Sequence, residues 1–152
     1  MRSATPRSGE PRLRLVFPSE TSFLGLVRDV SRKMAEGAGF DASTASQIAL
    51  AVDEASTNVL EHAYHGAPDR LVEIRYRDDG LDFEVDVCDA GDRVDPRDVP
   101  KVDLRQYANE RRTGGLGVHL MGKIMDRVTF RRSRGRNVCC LVKRRPSPVA
   151  AS

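Results

Sequence analysis

Glu54 and Asn58 stand four residues apart in VDEASTNVLEHAY, a stretch with helical periodicity. Residues at that spacing are neighbours on a helix surface. A carboxylate beside an amide could hold a base next to a metal-bound phosphate, because an amide oxygen is a hard ligand suited to Mg²⁺ and a carboxylate can take up a proton. At about 100° per residue, Glu54, Asn58, Glu61 and His65 fall on one stripe flanking the apolar face, with His62 slightly off it. The same spacing also suits an ordinary solvated polar face. His62, His65 and His119 do not read as a zinc site, since the first two lie three apart without an evident third ligand.

Two further stretches carry chemistry. In TGGLGVHLMGKIMD, Thr113 to Asp126, Gly114, Gly115 and Gly117 leave bare backbone where an amphipathic helix begins. A helix start offers unsatisfied N–H groups and the positive end of the dipole, a combination that binds phosphate. A plain turn would use glycine in the same place, and the stretch is not a Walker A loop, because GxxxxGK[ST] is missing. In DAG, Asp89 to Gly91, an acid ends an alternating strand at a bend. Such an acid can accept a hydrogen bond from an exocyclic amine while glycine lets a flat ring approach, although the pattern is also a common turn.

These residues need elements to position them. LRLVFPS, from Leu13, alternates apolar and polar residues and stops at proline, as a short strand does. FLGLVRDVSRKMAEGAG has Leu24, Val27, Val30 and Met34 at helical spacing and ends in glycines. DASTASQIALAVDEASTNVLEHAYHG opens on an Asp or Ser cap and predicts a long helix with Ile48, Val52, Ala55, Val59 and Ala63 facing the core. In LVEIRYRDDGLDFEVDVCDAG the period becomes two, and Asp79-Gly80 supplies the turn of an antiparallel hairpin. Residues from about Arg93 to Arg112 are Pro-rich, charged and irregular, as in a mobile loop. VHLMGKIMD reads as helix, and VTFRRSRGRNVCCLVKRR as a second hairpin turning within Ser133 to Asn137. Hairpins with helices grouped between them predict an α+β, two-layer sandwich, a mixed or antiparallel sheet covered by helices on one face.

Composition narrows the class. The chain has 152 residues, 39% of them hydrophobic and 31% charged, enough for one domain with a real core. MRSATPRSGEPR is too polar for a signal peptide and no run of about 18 apolar residues occurs, so a soluble cytoplasmic protein is expected, without a membrane partner. Cys88, Cys139 and Cys140 make an odd count without C-x-x-C spacing, and read as reduced, mostly buried strand residues. The net charge of +3 is small, yet basic residues cluster in RRSRGR (Arg131 to Arg136) and KRR (Lys143 to Arg145), as a solvated edge or a patch for an acidic partner. Direct nucleic-acid binding is disfavoured, because aromatic residues are 5% of the chain and none interleaves the basic run to stack on bases.

The order of the three motifs is more telling than any one of them. E-x-x-x-N on a helix, then D-x-G after a strand, then G-x-G opening a helix resemble the N box and two glycine boxes of the GHKL (histidine-kinase-like) ATPase superfamily, which includes histidine kinases and gyrase. Closer still, VDEASTNVLEHAY, VDVCDAGDRVDP and TGGLGVHLMGKIMD resemble the small serine-protein kinases that act as bacterial anti-sigma factors. The resemblance runs from about Arg12 to Arg145 and implies a domain at 12–145 between disordered tails, 1–11 and 146–152. No histidine-kinase phosphoacceptor helix precedes it, which favours a stand-alone protein kinase.

By that resemblance Asn58 coordinates the Mg²⁺ bridging the ATP phosphates, and Glu54 is the catalytic base toward a substrate serine. Asp89 accepts from the adenine amino group, with Gly91 giving clearance. Gly114, Gly115, Leu116, Gly117 and Val118 form the nucleotide-binding run, in which Gly115 and Gly117 cradle the phosphates. The loop from Arg93 to Arg112 is the lid, and Arg111 and Arg112 serve the phosphate or a partner protein. The implied partners are a sigma factor, an anti-sigma factor antagonist of the STAS type as kinase substrate, and a second copy of the chain in a homodimer. The alternative is a regulatory module that binds nucleotide and a partner without useful phosphoryl transfer. Two departures stand out: Gly135-Arg136-Asn137 replaces a Gly-Thr pair whose threonine lies near the adenine site, and Val94 replaces a frequent aromatic residue. Both bear on nucleotide affinity.

Overall fold

The computed structural model describes residues 9–92 and 115–146. In chain order the elements are strand β1 (Leu13–Pro18), helices α1 (Leu24–Gly37) and α2 (Ala42–Asn58), a widened helical turn (Val59–Ala63), strands β2 (Leu71–Asp78) and β3 (Asp82–Asp89), helix α3 (Gly115–Ile124), and strands β4 (Arg127–Ser133) and β5 (Arg136–Arg144). The expected strand, helix, helix, hairpin, helix, hairpin order is present. The expected loop at Arg93 to Arg112, with Val94, Arg111, Arg112 and Gly114, lies outside the described residues.

The strands form one sheet in the order β1-β2-β3-β5-β4, with every neighbouring pair antiparallel. Of the two options, mixed or antiparallel, the described sheet is the second. Period-two alternation sets its inner face: Phe17, Val72, Ile74, Tyr76, Phe83, Val85, Val87, Cys139 and Leu141 are all buried. Register aligns them across the strands, Phe17 opposite Val72, Ile74 opposite Val87 and Val85 opposite Leu141. The helices cover this face with Val27 and Ala35 from α1, Ala45, Ile48, Val52 and Ala55 from α2, and Met121 from α3. In the core, Ser31 Oγ and Tyr76 Oη lie 2.8 Å apart, each satisfying the other's hydroxyl.

Local chemistry sets the boundaries. Asp41 is the cap of α2 and its carboxylate accepts the Thr44 N–H at 2.7 Å. Asp79 Oδ1 accepts the N–H groups of Leu81 and Asp82, closing the first hairpin around Gly80 at φ 91°. The second hairpin turns on Arg134 and Gly135, with φ of 53° and 74°, the paired positive values of a two-residue turn that matches strand twist.

The opposite face of the sheet is charged. Arg14 and Arg136 both donate to Glu73, at 2.8 Å and 3.0 Å, Arg77 pairs with Asp86, and Arg75 donates to Cys88 Sγ at 3.0 Å. Glu73 and Asp86 are buried beneath these arginines. Cys88 and Cys139 are free and buried and Cys140 is half-buried, with burial pushing the Cys140 thiol up to about 12.

Two sequence expectations need correction. The long helix does not run evenly to Gly66, because after Asn58 it opens into a wider turn in which Tyr64 N–H donates to Val59 O, five residues back, at 2.9 Å. Packing imposes this: the turn keeps Val59, Leu60 and Ala63 all in the core. His65 therefore leaves the stripe of Glu54 and Asn58, and takes φ 50° beyond the helical run. Gly115 and Gly117 lie inside the first turn of α3, which starts three residues ahead of the expected Val118.

Candidate functional site

The carboxyl ends of α2 and β3 meet on the sheet's covered side. Asn58 closes α2 and is 7% exposed, and its Oδ1 is buried with no hydrogen-bond partner among the described residues. A buried amide oxygen without a partner is expensive unless something outside the chain coordinates it, so its chemistry suits a hard cation such as Mg²⁺. Glu54, one turn earlier, is half-buried. Its carboxyl is held above the ordinary range first by burial, then by the nearby charges of Asp53 and Glu61. A carboxylate raised in this way is a better base near neutral pH.

Asp89 ends β3 and is 3% exposed. Burial pushes its carboxyl up, while hydrogen bonds from Asn137 and Gly91 and the charges of Arg132 and Arg136 oppose the shift. Its Oδ1 accepts Gly91 N–H at 2.9 Å and Asn137 Nδ2–H at 2.8 Å. Asn137 reaches it because β5 pairs with β3 in a register that sets Asn137 opposite Asp89.

Gly91 is needed for a reason the sequence does not disclose. A Cβ there would lie 2.3 Å from Ala63 O and 2.8 Å from Tyr64 Cδ1, so the bend presses directly on the widened turn. Three bonds fasten the same junction, and a fourth ties it to β2. Asp92 N–H donates to Ala63 O at 3.0 Å, His65 Nε2 meets Asp92 Oδ2 at 2.8 Å, and Ala90 N–H donates at 2.8 Å to Tyr64 Oη, which donates to Leu71 O at 2.6 Å. Thus the turn after Asn58 and the bend after Asp89 form one fastened unit.

Helix α3 packs against α2 and begins with Gly115, Leu116, Gly117 and Val118, which puts the N–H groups that a helix start leaves outside its own ladder on this backbone run. Val118 is half-buried against the core, and Met121 and Met125 anchor the rest. Lys143 Nζ donates to Ile124 O at 2.7 Å, satisfying a carbonyl at the other end. Sequence reasoning missed Asn137, Arg132 and Tyr64 as parts of the site. Asn137 was visible only as a departure from a family pattern; its register opposite Asp89 is a tertiary fact.

The histidine kinase-like ATPase domain pattern matches residues 17–143 of the chain. The serine-protein kinase RsbW of Bacillus velezensis is 30% identical over 128 residues, covering 81% of this chain and 79% of that protein. RsbW of Listeria monocytogenes is 29% identical over 131 residues, covering 84% and 83%. Among solved structures, the RsbU and RsbW domains of a Mycobacterium tuberculosis protein superpose with a TM-score of 0.62 at 16% identity, covering 89% of this chain and 32% of that one. The SiaB–SiaC complex of Pseudomonas aeruginosa gives 0.59 at 16% identity, covering 89% and 90%. Fold, motif order and these likenesses agree: the chain belongs to the histidine kinase-like ATPase family, among its serine-protein kinases of the RsbW type.

Proposed function

We propose that the chain is an ATP- and Mg²⁺-dependent serine-protein kinase that acts as an anti-sigma factor, binding a sigma factor and phosphorylating a STAS-type antagonist. The observation that carries this reading is the buried Asn58 Oδ1, without a hydrogen-bond partner among the described residues, one helical turn from a carboxyl raised by burial. Bound Mg-ATP supplies the transferable phosphoryl group and the metal that neutralises its charge. Asn58 ligates that metal through Oδ1. Glu54 takes the proton from the substrate serine hydroxyl. Asp89 receives the amino edge of adenine, and the first turn of α3, with Gly115, Leu116, Gly117 and Val118, offers backbone N–H groups to the phosphates. The domain occupies 12–145; a homodimer in the cytoplasm is the form in which it works.

Calorimetric titration of ATP with and without Mg²⁺ tests the metal reading. Wild type should bind tightly only with Mg²⁺, and Asn58→Ala should lose about tenfold or more of that affinity while keeping its fold by circular dichroism. Folded wild type that binds no nucleotide, or Asn58→Ala with full Mg²⁺ dependence, would sink the assignment of Asn58.

A further inference from the structure

Arg132 and Asn137 form a small network that the catalytic reading leaves unused. Arg132 Nη1 donates to Asn137 Oδ1 at 2.9 Å and to Gly91 O at 3.0 Å. A guanidinium can only donate, so the amide atom facing Arg132 must be oxygen and the NH₂ must face the other way. That NH₂ lies 2.8 Å from Asp89 Oδ1, 2.9 Å from Asp92 O and 3.3 Å from Gly91 O. The basic run RRSRGR therefore holds at least one residue with an inward task, and Arg136, on Glu73, is another with a fixed partner.

The consequence for Asp89 is chemical. Its Oδ1 meets two donors, Asn137 Nδ2–H and Gly91 N–H. A proton placed on that oxygen would point at an N–H, because an amide NH₂ has no lone pair with which to receive it. A threonine hydroxyl could rotate and accept such a proton; this amide, pinned by Arg132, cannot. We propose that Asn137, oriented by Arg132, is a specificity-determining positioning residue whose N–H bond to Oδ1 favours the carboxylate form of Asp89, and so favours a purine presenting an amino group over one presenting a carbonyl. The inference rests on Asp89 being the base-reading residue of a nucleotide site. Other groups facing Asp89 act in the same direction or are already engaged: Arg136 on β5 opposes protonation, Tyr64 Oη is bonded to Ala90 and Leu71, and Asp92 is paired with His65.

The test uses the full chain, titrated with Mg-ATP and Mg-GTP from about pH 8 down to about pH 5. Wild type should prefer ATP and hold its ATP affinity through most of this range. Asn137→Leu should bind ATP about tenfold more weakly at pH 8, the loss expected when a hydrogen bond to a charged group is removed. It should also bind ATP still more weakly as pH falls, from a higher midpoint than wild type, and show a smaller ATP-over-GTP ratio. Asn137→Thr, which restores a donor, should recover ATP affinity at pH 8 to within about threefold but keep a raised midpoint. That second variant carries the test if the leucine variant does not fold. A wild type that binds ATP, with variants matching its affinity, base preference and pH midpoint, overturns the proposal alone. A folded wild type that binds neither nucleotide overturns the reading of the site and the proposal with it.

Discussion

Replacing Gly91 with alanine adds one methyl group at a position where the backbone leaves no room for it. The new Cβ would sit 2.3 Å from Ala63 O, 2.7 Å from Ala63 C and 2.8 Å from Tyr64 Cδ1, all closer than carbon tolerates. Two of the three atoms are backbone in a turn already held by Tyr64 N–H to Val59 O, so rotation of a side chain cannot relieve the clash. The bend must move outward, and the bond from Asp92 N–H to Ala63 O stretches with it. Overpacking of this kind costs about 1–3 kcal/mol, and a strained backbone bond adds about 0.5–1.5 kcal/mol, so a total near 3 kcal/mol is expected. For a domain of this size that lowers the thermal midpoint by roughly 6–12 °C. Urea unfolding of the nucleotide-free protein is the assay, because the argument concerns packing and needs no ligand. A Gly91→Ala variant with an unchanged urea midpoint would refute it, and would return the glycine's purpose to ligand clearance.

Other perturbations separate catalysis from structure. Glu54→Gln should leave Mg-ATP affinity within about threefold and slow phosphoryl transfer to an antagonist by about 10²–10⁴, measured by incorporation of labelled phosphate. Because burial raises the Glu54 carboxyl, its basic form is lost as pH drops through that raised value. Wild-type transfer should therefore fall on the acid side at a higher pH than an ordinary carboxylate would give, and that limb should vanish in Glu54→Gln; an identical limb in both would assign it to another group. Tyr76→Phe should cost about 1–3 kcal/mol in urea unfolding by stranding the Ser31 hydroxyl, with no change in nucleotide affinity. A neutral result there would mean that Ser31 finds another acceptor.

Much of the fold was legible because its signals are local. Asp79-Gly80 announces a hairpin, Asp41 an N-cap, and strict alternation in VEIRYR and FEVDV assigns each side chain to one face of the sheet. Glu54, Asn58, Asp89 and the glycines of α3 were legible as candidates from type and spacing, and their order carried the family resemblance. What stayed hidden depends on distant partners. Nothing in VLEHA signals that the helix widens there, since the cause is three apolar side chains competing for one core. His65 reads as part of a helical stripe until the left-handed turn carries it to Asp92. Asn137 earns its place from the residue across the sheet, which no window along the chain contains.

The widened turn also makes the length of this segment as consequential as its composition. Held as a regular α-helix at its present length, the segment from Val59 to Ala63 would carry everything beyond it about 100° further around the helix axis. Tyr64 would swing away from Leu71 O and Ala90 N–H, and His65 from Asp92, while every side chain before Asn58 stayed where it was. Because the wider turn absorbs one residue, deleting one between Val59 and Ala63 would make the Tyr64 N–H to Val59 O bond an ordinary α-helical one and keep the two halves of the site joined, whereas adding one would part them. The phase of this helix, like the register between strands, is thus set by how many residues its turn carries.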